Sequence, residues 1–572
     1  GYTRPAAEDL PMIPDPFRLV VRQVRTDRGM VTDIAAGRQL KVIGEVLAGC
    51  ESIIVATDAG REGELIFRWI YSYLGCTKPF KRLWISSLTD EAIREGMASL
   101  KEGTGYDSLY AAADSRAKAD WLVGMNASRA LAAASGSVNN SIGRVQTPTL
   151  AMICARFKEN RNFVSTPYWQ LHIVLKRDNG HRQFIHTKEF KDKNMAEAAY
   201  KSITPGSVVT ITKVKRGKIF QQAPLLYDLT ALQKDCNIHY DLPVDKTLAI
   251  TQSLYEKKLV SYPRTGSRYI PQDVMAHIPV LLEKITAMPE FREYRRSLDL
   301  SALNTRSVDA AKVTDHHAII PTIEITKTDL SAVPEGEMKI LSLVANRLLC
   351  ATGKKQLYET VKAEFSCGGY SFHVSGKTVL QNGWKEFEAA LKRTYRVEKT
   401  DEDKEEKKLP ELSEGMTFPV IQTKVTEQFT QPPKHFTEDS LLSAMERAGA
   451  EDMGDEVERK GLGTPATRAD IIEKLVKDGF VKREKKQMLP TEDGMKLITV
   501  LPDMVKSPKL TADWENTLTL VEKGEYTMQE FMDGIEDMVR ELVQTYHSIS
   551  DDQKSLFGCR KCLENARNAA AM

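Results

Sequence analysis

The pattern of apolar and polar positions predicts a strand, a loop and a helix within residues 52–74. Residues 52–57 form a short apolar run rich in β-branched side chains, which favours a buried strand. Residues 58–60 break that run, and apolar residues then recur at helical spacing from Glu64 to Leu74. The loop between the two elements therefore lies at the carboxyl end of a strand.

Helical spacing also covers residues 107–135, and this stretch carries basic side chains at Arg116, Lys118 and Arg129. A second helical run extends over residues 148–158, directly after a segment that ends in Arg144. From Phe436 to Val543 the pattern again favours helices.

Alternation of apolar and polar residues replaces helical spacing in two separate stretches, 168–214 and 358–382. Such alternation favours antiparallel strands. The residues between the two stretches, 225–260 and 272–350, have a mostly helical pattern. We therefore predict that a helical unit is inserted between two halves of one β-rich unit.

The composition is typical of a multidomain protein outside the membrane. A chain of 572 residues is too long for one core, and roughly 100–200 residues per domain gives about three to five units. The chain is 42% hydrophobic and 28% charged, and no apolar run reaches membrane-spanning length.

The formal net charge is only +2, from 80 basic and 78 acidic residues. Attraction to nucleic acid would therefore have to come from local patches. Eight cysteines without framework spacing, and no secretory signal before the first predicted element, predict a cytoplasmic location. The first residue is Gly1 and not Met, which indicates a chain that was processed, cut or taken from inside a longer product.

Three carboxylates, on Asp58, Glu62 and Glu64, lie within seven residues of the loop after the predicted strand. Parallel α/β sheets usually place their sites at this end of a strand, and such clustering of like charge is costly without a cation. Mg²⁺ takes one or two protein carboxylates and keeps waters or phosphate oxygens for the rest. The loop therefore predicts a Mg²⁺ site, with an ordinary acidic helix start as the alternative.

Residues 260–267 place Tyr262 beside Pro263 and Arg264. A tyrosine hydroxyl has a pKa near ~10, so it attacks phosphorus only if cations stabilise the charge that develops. Arg264 is a permanent cation two residues away, and Pro263 restricts the backbone between them. The segment is a candidate nucleophile, and a strand end without catalytic function is the alternative.

Two adjacent histidines, His316 and His317, precede Pro321 in a chain with only ten histidines. They indicate either a metal-binding or a phosphate-contacting role. The metal is the poorer choice, because no Cys or further His lies at ligand spacing nearby. A structural pair that caps a turn before Pro321 is the remaining alternative.

Three segments combine Arg with Gly or hydroxyl residues, which is the combination that lets backbone N–H groups approach phosphates. They are residues 116–129, 141–147 and 460–468. A solvated basic face is the alternative for each. Residues 400–408 are a charge run typical of a loop, and Cys559 and Cys562 form at most half of a zinc ribbon.

Taken together and in this order, these segments resemble bacterial type IA DNA topoisomerases. Residues 148–149, 262–264 and 316–321 are most similar to the topoisomerase III branch, and the resemblance covers nearly the whole chain. It implies a multidomain α+β and α/β torus. Its parts are a Toprim-like α/β domain, incomplete here because its amino-terminal strand is absent, a β-rich arch, and helical, winged-helix-like domains.

The resemblance also implies domain limits. These are 1–112 for the Toprim-like metal-binding domain, 113–164 and 429–555 for the two parts of a helical DNA-binding domain, 165–220 and 334–428 for the two parts of the arch, 221–333 for the helical domain with the tyrosine, and 556–572 for a tail with half of a zinc-ribbon motif.

Residue roles follow from the resemblance as well. Tyr262 would form a 5′-phosphotyrosyl link, Arg264 would stabilise the reacting oxygens, and His316 would lie near the scissile phosphate. Asp58 and Glu62 fall on the acidic motif that holds Mg²⁺, with Glu64 as a further candidate. The implied DNA-binding residues are Arg116, Asp120, Arg144, Gln146, Thr147, His317, Thr467 and Arg468.

The implied activity is ATP-independent breakage of one DNA strand, passage of a second strand and religation, which relaxes negative supercoils and unlinks DNA. The implied partners are single-stranded DNA, negatively supercoiled or linked duplex DNA and a helicase, with no membrane.

Two features depart from the family pattern. Many relatives have a second aspartate two residues after the first, where this chain has Gly60. The family also begins with a strand and loop that bring a Glu and a Lys next to the tyrosine, and no such segment precedes Gly1. The alternative function is therefore a fragment that binds single-stranded DNA without cutting it.

Overall fold

The structure, a computed structural model, describes most of the chain. It covers residue 2 and residues 10–27, 29–135, 141–176, 182–187, 189–296, 298–394, 409, 411–454, 457 and 461–547. The charge run 400–408 and the tail 556–572 with Cys559 and Cys562 lie outside these residues. None of the helices in the covered ranges has the length and apolar character that crossing a bilayer requires.

The first part of the chain forms an α/β unit, residues 23–106. Its elements are β1 (Gln23–Thr26), β2 (Gly29–Thr32), α1 (Ile34–Gly49), β3 (Ile53–Val55), α2 (Arg61–Tyr73), β4 (Phe80–Arg82), α3 (Asp90–Ala98) and β5 (Lys101–Glu102). Strand β3 pairs in parallel with β4, which pairs antiparallel with β5. The predicted strand, loop and helix are confirmed, although α2 begins earlier than expected, at Arg61.

Two helix-rich stretches far apart in sequence form one helical unit, residues 107–161 and 436–547. Its elements are α4 (Asp107–Ser135), α5 (Gln146–Arg161), α12 (Glu438–Arg447), α13 (Pro465–Lys477), β12 (Val481–Glu484), β13 (Gln487–Pro490), α14 (Glu492–Val500), α15 (Asp503–Lys506), α16 (Lys509–Lys523) and α17 (Met528–His547). Leu122 of α4 shares a buried cluster with Leu518 and Val539. The hairpin that follows α13 gives this part the winged-helix character implied by the resemblance.

Six strands form a closed antiparallel barrel in the order β10-β7-β6-β11-β8-β9. The strands are β6 (Pro167–Lys176), β7 (Arg182–Thr187), β8 (Val208–Gln221), β9 (Gln356–Cys367), β10 (Tyr370–Gln381) and β11 (Thr417–Phe429). Strands from before and after the helical insertion therefore close one core, as the alternation predicted. Helix α6 (Lys193–Ser202) was not predicted, and it starts where the Asp192 carboxylate accepts from two backbone N–H groups.

In the sequence, the tyrosine-bearing unit, residues 222–355, lies between strands β6–β8 and strands β9–β11 of the barrel. Its helices are α7 (Leu229–Tyr240), α8 (Val244–Glu256), α9 (Gln272–Ala287) and α10 (Glu335–Thr352), and α11 (Lys385–Thr394) packs on the same core. The helical pattern expected over 272–350 is wrong between α9 and α10, where the described residues form short 3-10 turns and loops. The domain limits given above stay predictions.

Candidate active site

The segment that carries Tyr262 is held against the segment that carries the two histidines. The Ser261 N–H donates to the carbonyl of Ile320 at 2.9 Å. Three residues after the tyrosine, the Thr265 hydroxyl donates to the carbonyl of His316 at 2.9 Å. Bonds on both sides of Tyr262 therefore fix its backbone against residues 316–320.

The Tyr262 ring is half-buried between two other rings. Its centroid lies 4.3 Å from that of His316 and 5.3 Å from that of Tyr255. Burial raises the pKa of Tyr262 above its ordinary value, and the Asp58 carboxylate raises it further, while Arg264 lowers it in part. The hydroxyl is therefore protonated at neutral pH and needs added positive charge to act as a nucleophile.

The acidic loop brings Asp58 from the α/β unit to the histidine beside the tyrosine. Asp58 Oδ1 lies 3.3 Å from His316 Nε2, and about half of the Asp58 side chain is exposed. Gly63 is required here, because a Cβ atom at this position would lie 2.1 Å from the Asp58 carbonyl oxygen. Arg82 is fully buried and donates to the carbonyls of Thr57, at 2.7 Å, and of Asp58. Sequence reasoning missed Arg82, which holds the loop in place.

The other two carboxylates of the loop differ in their surroundings. Glu64 is fully buried, and its oxygens lie 2.8 Å from Arg68 Nε and 3.0 Å from Arg82 Nε. Both Glu64 oxygens thus face arginines, and the metal-binding role expected for Glu64 stays a prediction. Glu62 is exposed and lies 3.8 Å from Arg116.

The donor chemistry of the loop fits Mg²⁺, since Asp58, which lies 3.3 Å from His316, and Glu62 both offer exposed carboxylate oxygens. Within the described ranges, no three His, Cys, Asp or Glu side chains stand together as a ready metal cage. Mg²⁺ does not require one, because it usually binds through one or two carboxylates with waters and phosphate oxygens. Asp58 and Glu62 therefore remain the candidate ligands.

An ion cluster that the sequence did not predict lies behind the acidic loop. The Glu515 oxygens lie 3.2 Å from Arg61, 3.3 Å from Arg116 and 3.4 Å from Arg144. Burial opposes the ionisation of Glu515, but the arginines outweigh burial and hold its pKa below the ordinary value. The sequence gives one signal for this cluster, which is that Glu515 directly follows Trp514. Both residues are buried in α16.

Arg144 and Asp120 belong to this cluster. The Arg144 side chain is 2% exposed, and its Nε and Nη2 lie 2.8 and 3.2 Å from the two Asp120 oxygens. Its guanidinium also lies over the Trp514 ring, 5.0 Å from the centroid. Arg144 therefore joins helices of this unit, and the DNA contact expected for Arg144 and Asp120 stays a prediction.

Gln146 and Thr147, also expected to bind DNA, are buried at the start of α5. The Gly143 N–H donates to the Thr147 hydroxyl at 3.2 Å, and the Gln146 amide donates to the Ser141 carbonyl at 3.4 Å. These bonds shape the turn that leads into the helix, and DNA contact by Gln146 and Thr147 stays a prediction.

Thr467 and Arg468 lie in the first turn of α13. Thr467 closes a capping box, since its hydroxyl accepts from the Thr464 N–H at 3.1 Å. Arg468 is 3% exposed and donates at 3.1 Å to the Leu462 carbonyl and to the Thr230 hydroxyl. Arg468 therefore joins the helical unit to the tyrosine-bearing unit, and DNA contact by Thr467 and Arg468 stays a prediction.

The contacts of His317 differ from those of His316. Its Nδ1–H donates to the Ala318 carbonyl at 2.8 Å, and burial lowers its pKa below the ordinary value. The ring is therefore neutral near pH 7 and fixes the turn before Pro321, as the structural alternative proposed. Direct DNA contact by His317 stays a prediction.

A cleft of about 240 Å³ joins the tyrosine segment to the start of α13. It is lined by Arg264, Thr265, Gly266, Thr314, Asp315, His316, Thr464, Pro465 and Ala466. Arg264 is exposed in this cleft. The structure thus brings Tyr262, Arg264, His316 and Asp58 together, and adds the first residues of the basic segment 460–468.

Comparisons with known proteins identify the family of the chain. A family model described as DNA topoisomerase matches residues 104–533. DNA topoisomerase 3 of Bacillus licheniformis is 38% identical over 558 residues, which cover 95% of this chain and 74% of that protein. DNA topoisomerase 3 of Bacillus subtilis is 37% identical over 566 residues, which cover 96% of this chain and 74% of that protein.

A solved structure, that of full-length topoisomerase I from Thermotoga maritima, shares the fold. The TM-score is 0.68 at 23% sequence identity, and the alignment covers 91% of this chain and 83% of that one.

Proposed function

The chain belongs to the bacterial type IA DNA topoisomerases and is similar to topoisomerase III, and we propose that Tyr262 is the residue with which it cuts DNA. The observation that carries the proposal is the meeting of Tyr262 with His316 and Asp58. These three side chains come from segments far apart in sequence, and Arg264 lies beside them. Such convergence around one hydroxyl is what a nucleophilic site requires.

In the proposed reaction the Tyr262 hydroxyl oxygen attacks the phosphorus of one DNA strand. A bond forms between this oxygen and phosphorus, and the bond from phosphorus to the 3′ oxygen of the neighbouring nucleotide breaks. The tyrosine loses its proton and the departing 3′ oxygen gains one. One phosphodiester is exchanged for another, so attack by the 3′ hydroxyl reseals the strand without ATP.

The surrounding residues offset the raised pKa of the nucleophile. Arg264 is exposed two residues away, so its guanidinium can reach phosphate oxygens. His316 lies against the Tyr262 ring and is placed to contact the same phosphate. Asp58 and Glu62 would hold Mg²⁺, which supplies positive charge to the phosphate oxygens when it is bound.

We place single-stranded DNA along the cleft between the tyrosine segment and the start of α13. The candidates for DNA contact are Arg116, Asp120, Arg144, Gln146, Thr147, His317, Thr467 and Arg468. Negatively supercoiled or linked DNA in the cytoplasm would supply such unpaired strands, and a helicase that opens the duplex would supply more of them. Passage of a second strand requires the α/β unit and the tyrosine-bearing unit to part at their shared boundary, called the gate below.

The test is relaxation of negatively supercoiled plasmid with Mg²⁺ and without ATP. Tyr262→Phe should abolish both relaxation and the covalent adduct on labelled single-stranded DNA, because the ring stays and the attacking oxygen is lost. Tyr269→Phe is the matched control, since Tyr269 lies in the same segment and its ring contacts Lys312. Full relaxation by Tyr262→Phe would contradict the proposal, and an adduct formed by the unmodified chain excludes a binding-only function.

A further inference from the structure

The acidic loop has no side chain at Gly60, and the carboxylate of Asp315 lies where one would be. A Cβ atom built on Gly60 would lie 2.9 Å from Asp315 Cγ and Oδ1 and 3.2 Å from Oδ2. The Gly60 backbone is extended, with φ −171° and ψ −179°, a conformation that any residue adopts. The backbone therefore does not require glycine here. A larger residue at position 60 would have to displace the Asp315 carboxylate.

Asp315 belongs to the segment that is bonded to the tyrosine. Its neighbour His316 accepts through its carbonyl from the Thr265 hydroxyl and lies 3.3 Å from Asp58. Asp58 and Asp315 both act through space to raise the pKa of Tyr262, so both carboxylates lie within the field of its hydroxyl. Two negative groups beside an oxygen that must lose a proton are unfavourable unless a cation accompanies them.

We propose that Asp315 binds the divalent cation together with Asp58, and supplies from the tyrosine-bearing unit the carboxylate that position 60 of the acidic loop lacks. The proposal rests on the Mg²⁺ site assigned above. Asp315 joins Asp58 and Glu62 as a candidate ligand, and waters and phosphate oxygens complete the Mg²⁺ coordination shell.

The arrangement has a consequence for the gate. Asp58 lies on the α/β unit and Asp315 on the tyrosine-bearing unit, so the bound cation bridges the two. Parting the units separates the ligands. The cation is therefore bound more tightly when the gate is closed, and its binding favours closure.

The first test is binding of Mn²⁺ to the whole chain, followed by the loss of the free-ion signal in electron paramagnetic resonance. Asp315→Asn keeps the size of the side chain and removes its charge, and should weaken binding about tenfold or more. Asp309→Asn is the matched control, because Asp309 is an exposed acid of the same region that pairs with Lys312 at 2.8 Å. Unchanged Mn²⁺ affinity in Asp315→Asn would overturn the proposal.

A second variant places the carboxylate on the acidic loop instead of on the tyrosine-bearing unit. The double variant Gly60→Asp with Asp315→Gly returns an acid to the loop and clears the space that it needs. It should recover Mn²⁺ affinity to within a few fold of the unmodified chain. Gly60→Asp alone should weaken Mn²⁺ binding, because its Cβ would lie 2.9 Å from the Asp315 carboxylate and displace it. If the folded double variant binds Mn²⁺ as weakly as Asp315→Asn does, an acid at position 60 cannot replace Asp315. That result would contradict the proposal.

The outcomes separate this inference from the proposed function. Tyr262→Phe should bind Mn²⁺ normally while it forms no DNA adduct. If the chain binds Mn²⁺ through Asp315 but never forms a phosphotyrosyl adduct, the proposed function fails and the metal inference stands. If the adduct forms and Asp315→Asn binds Mn²⁺ normally, the function stands and the metal inference fails.

Discussion

Glu515 shows how a single side chain can hold several segments in place. Its carboxylate is buried and meets Arg61 of α2, Arg116 of α4 and Arg144 of the turn before α5. Removing one partner of a buried ion pair leaves uncompensated charge inside the protein. We expect Glu515→Gln to lower the free energy of unfolding by about 3 kcal/mol, measured by denaturant unfolding.

Glu522→Gln is the control for Glu515→Gln. Glu522 also contacts Arg61, at 2.8 Å, but its side chain is 39% exposed. Because water screens exposed pairs, the expected loss is below about 1 kcal/mol. Equal losses in the two variants would show that burial of the cluster does not determine its contribution.

The same residues show the limit of sequence reasoning at this scale. The resemblance to type IA topoisomerases implied that Asp58, Tyr262, Arg264 and His316 belong to one site, and the structure brings them together. The burial of Arg144 was not predictable, because its partner Glu515 lies 371 residues away. An arginine beside glycine and hydroxyl residues has the same local pattern whether it faces a phosphate or a buried carboxylate.

At the scale of one element, the start of α7 makes stability depend on pH. Asp228 caps this helix by accepting from the Ala231 N–H at 2.6 Å, and only 8% of the residue is exposed. Burial, reinforced by Glu446, raises the pKa of Asp228 to about 6. The folded state thus holds a proton that the unfolded state has lost, so this contribution to stability is complete below about pH 4 and is lost as pH rises to about 6.

Asp228→Asn should remove this dependence. The amide oxygen can still accept from Ala231, and no charge has to be buried. A shift of about two pKa units corresponds to roughly 3 kcal/mol, so the variant should be more stable by up to that amount at pH 7.5 and unchanged at pH 4. The measurement is the difference in thermal unfolding midpoint between variant and parent at both pH values.

Asp33→Asn is the control for Asp228→Asn, because the pKa of Asp33 is shifted in the opposite direction. Asp33 caps α1, but its pKa is lowered, first by Arg22 and then by the Ala36 N–H. Its favourable contribution is therefore present above the unfolded pKa and is lost as pH falls. The variant should gain nothing at pH 7.5, and a gain equal to that of Asp228→Asn would contradict the burial argument.

Elements with strong periodicity were predicted well from the sequence. Helix α4 occupies the residues 107–135 that the spacing predicted. Helix α6 was missed because its buried residues are the small Ala196 and Ala199, which give little apolar signal inside a stretch of strands. Its start depends on the cap by Asp192, a local bond that periodicity does not report.

At the scale of the whole molecule, the alternation on both sides of a helical stretch predicted an interrupted β unit, and the barrel confirms it. The strand order was beyond sequence reasoning, because β8 pairs with β9 only after the whole tyrosine-bearing unit. The contacts across the gate are likewise between distant residues. Among them, the Ser87 and Thr89 hydroxyls both donate at 2.8 Å to Asp273 Oδ2 of α9.

These two bonds tie the α/β unit to the tyrosine-bearing unit, so their loss should favour the open gate. Hydrogen bonds to a charged acceptor contribute about 1.5–3 kcal/mol when they are buried. Asp273 is partly exposed, and a net effect of about 1.4 kcal/mol would shift the gate tenfold towards the open state. Asp273→Ala should then slow religation, because the cut ends are held apart for longer, while cleavage still occurs.

The rate of religation is measured from the decay of the covalent adduct on labelled single-stranded DNA after a salt chase. We expect the adduct of Asp273→Ala to decay several-fold more slowly than that of the unmodified chain. Asp245→Ala is the control, since Asp245 lies on the same unit and its carboxylate faces its neighbour Lys246 at 3.9 Å. Identical decay in Asp273→Ala and Asp245→Ala would show that the Asp273 contacts do not hold the gate closed.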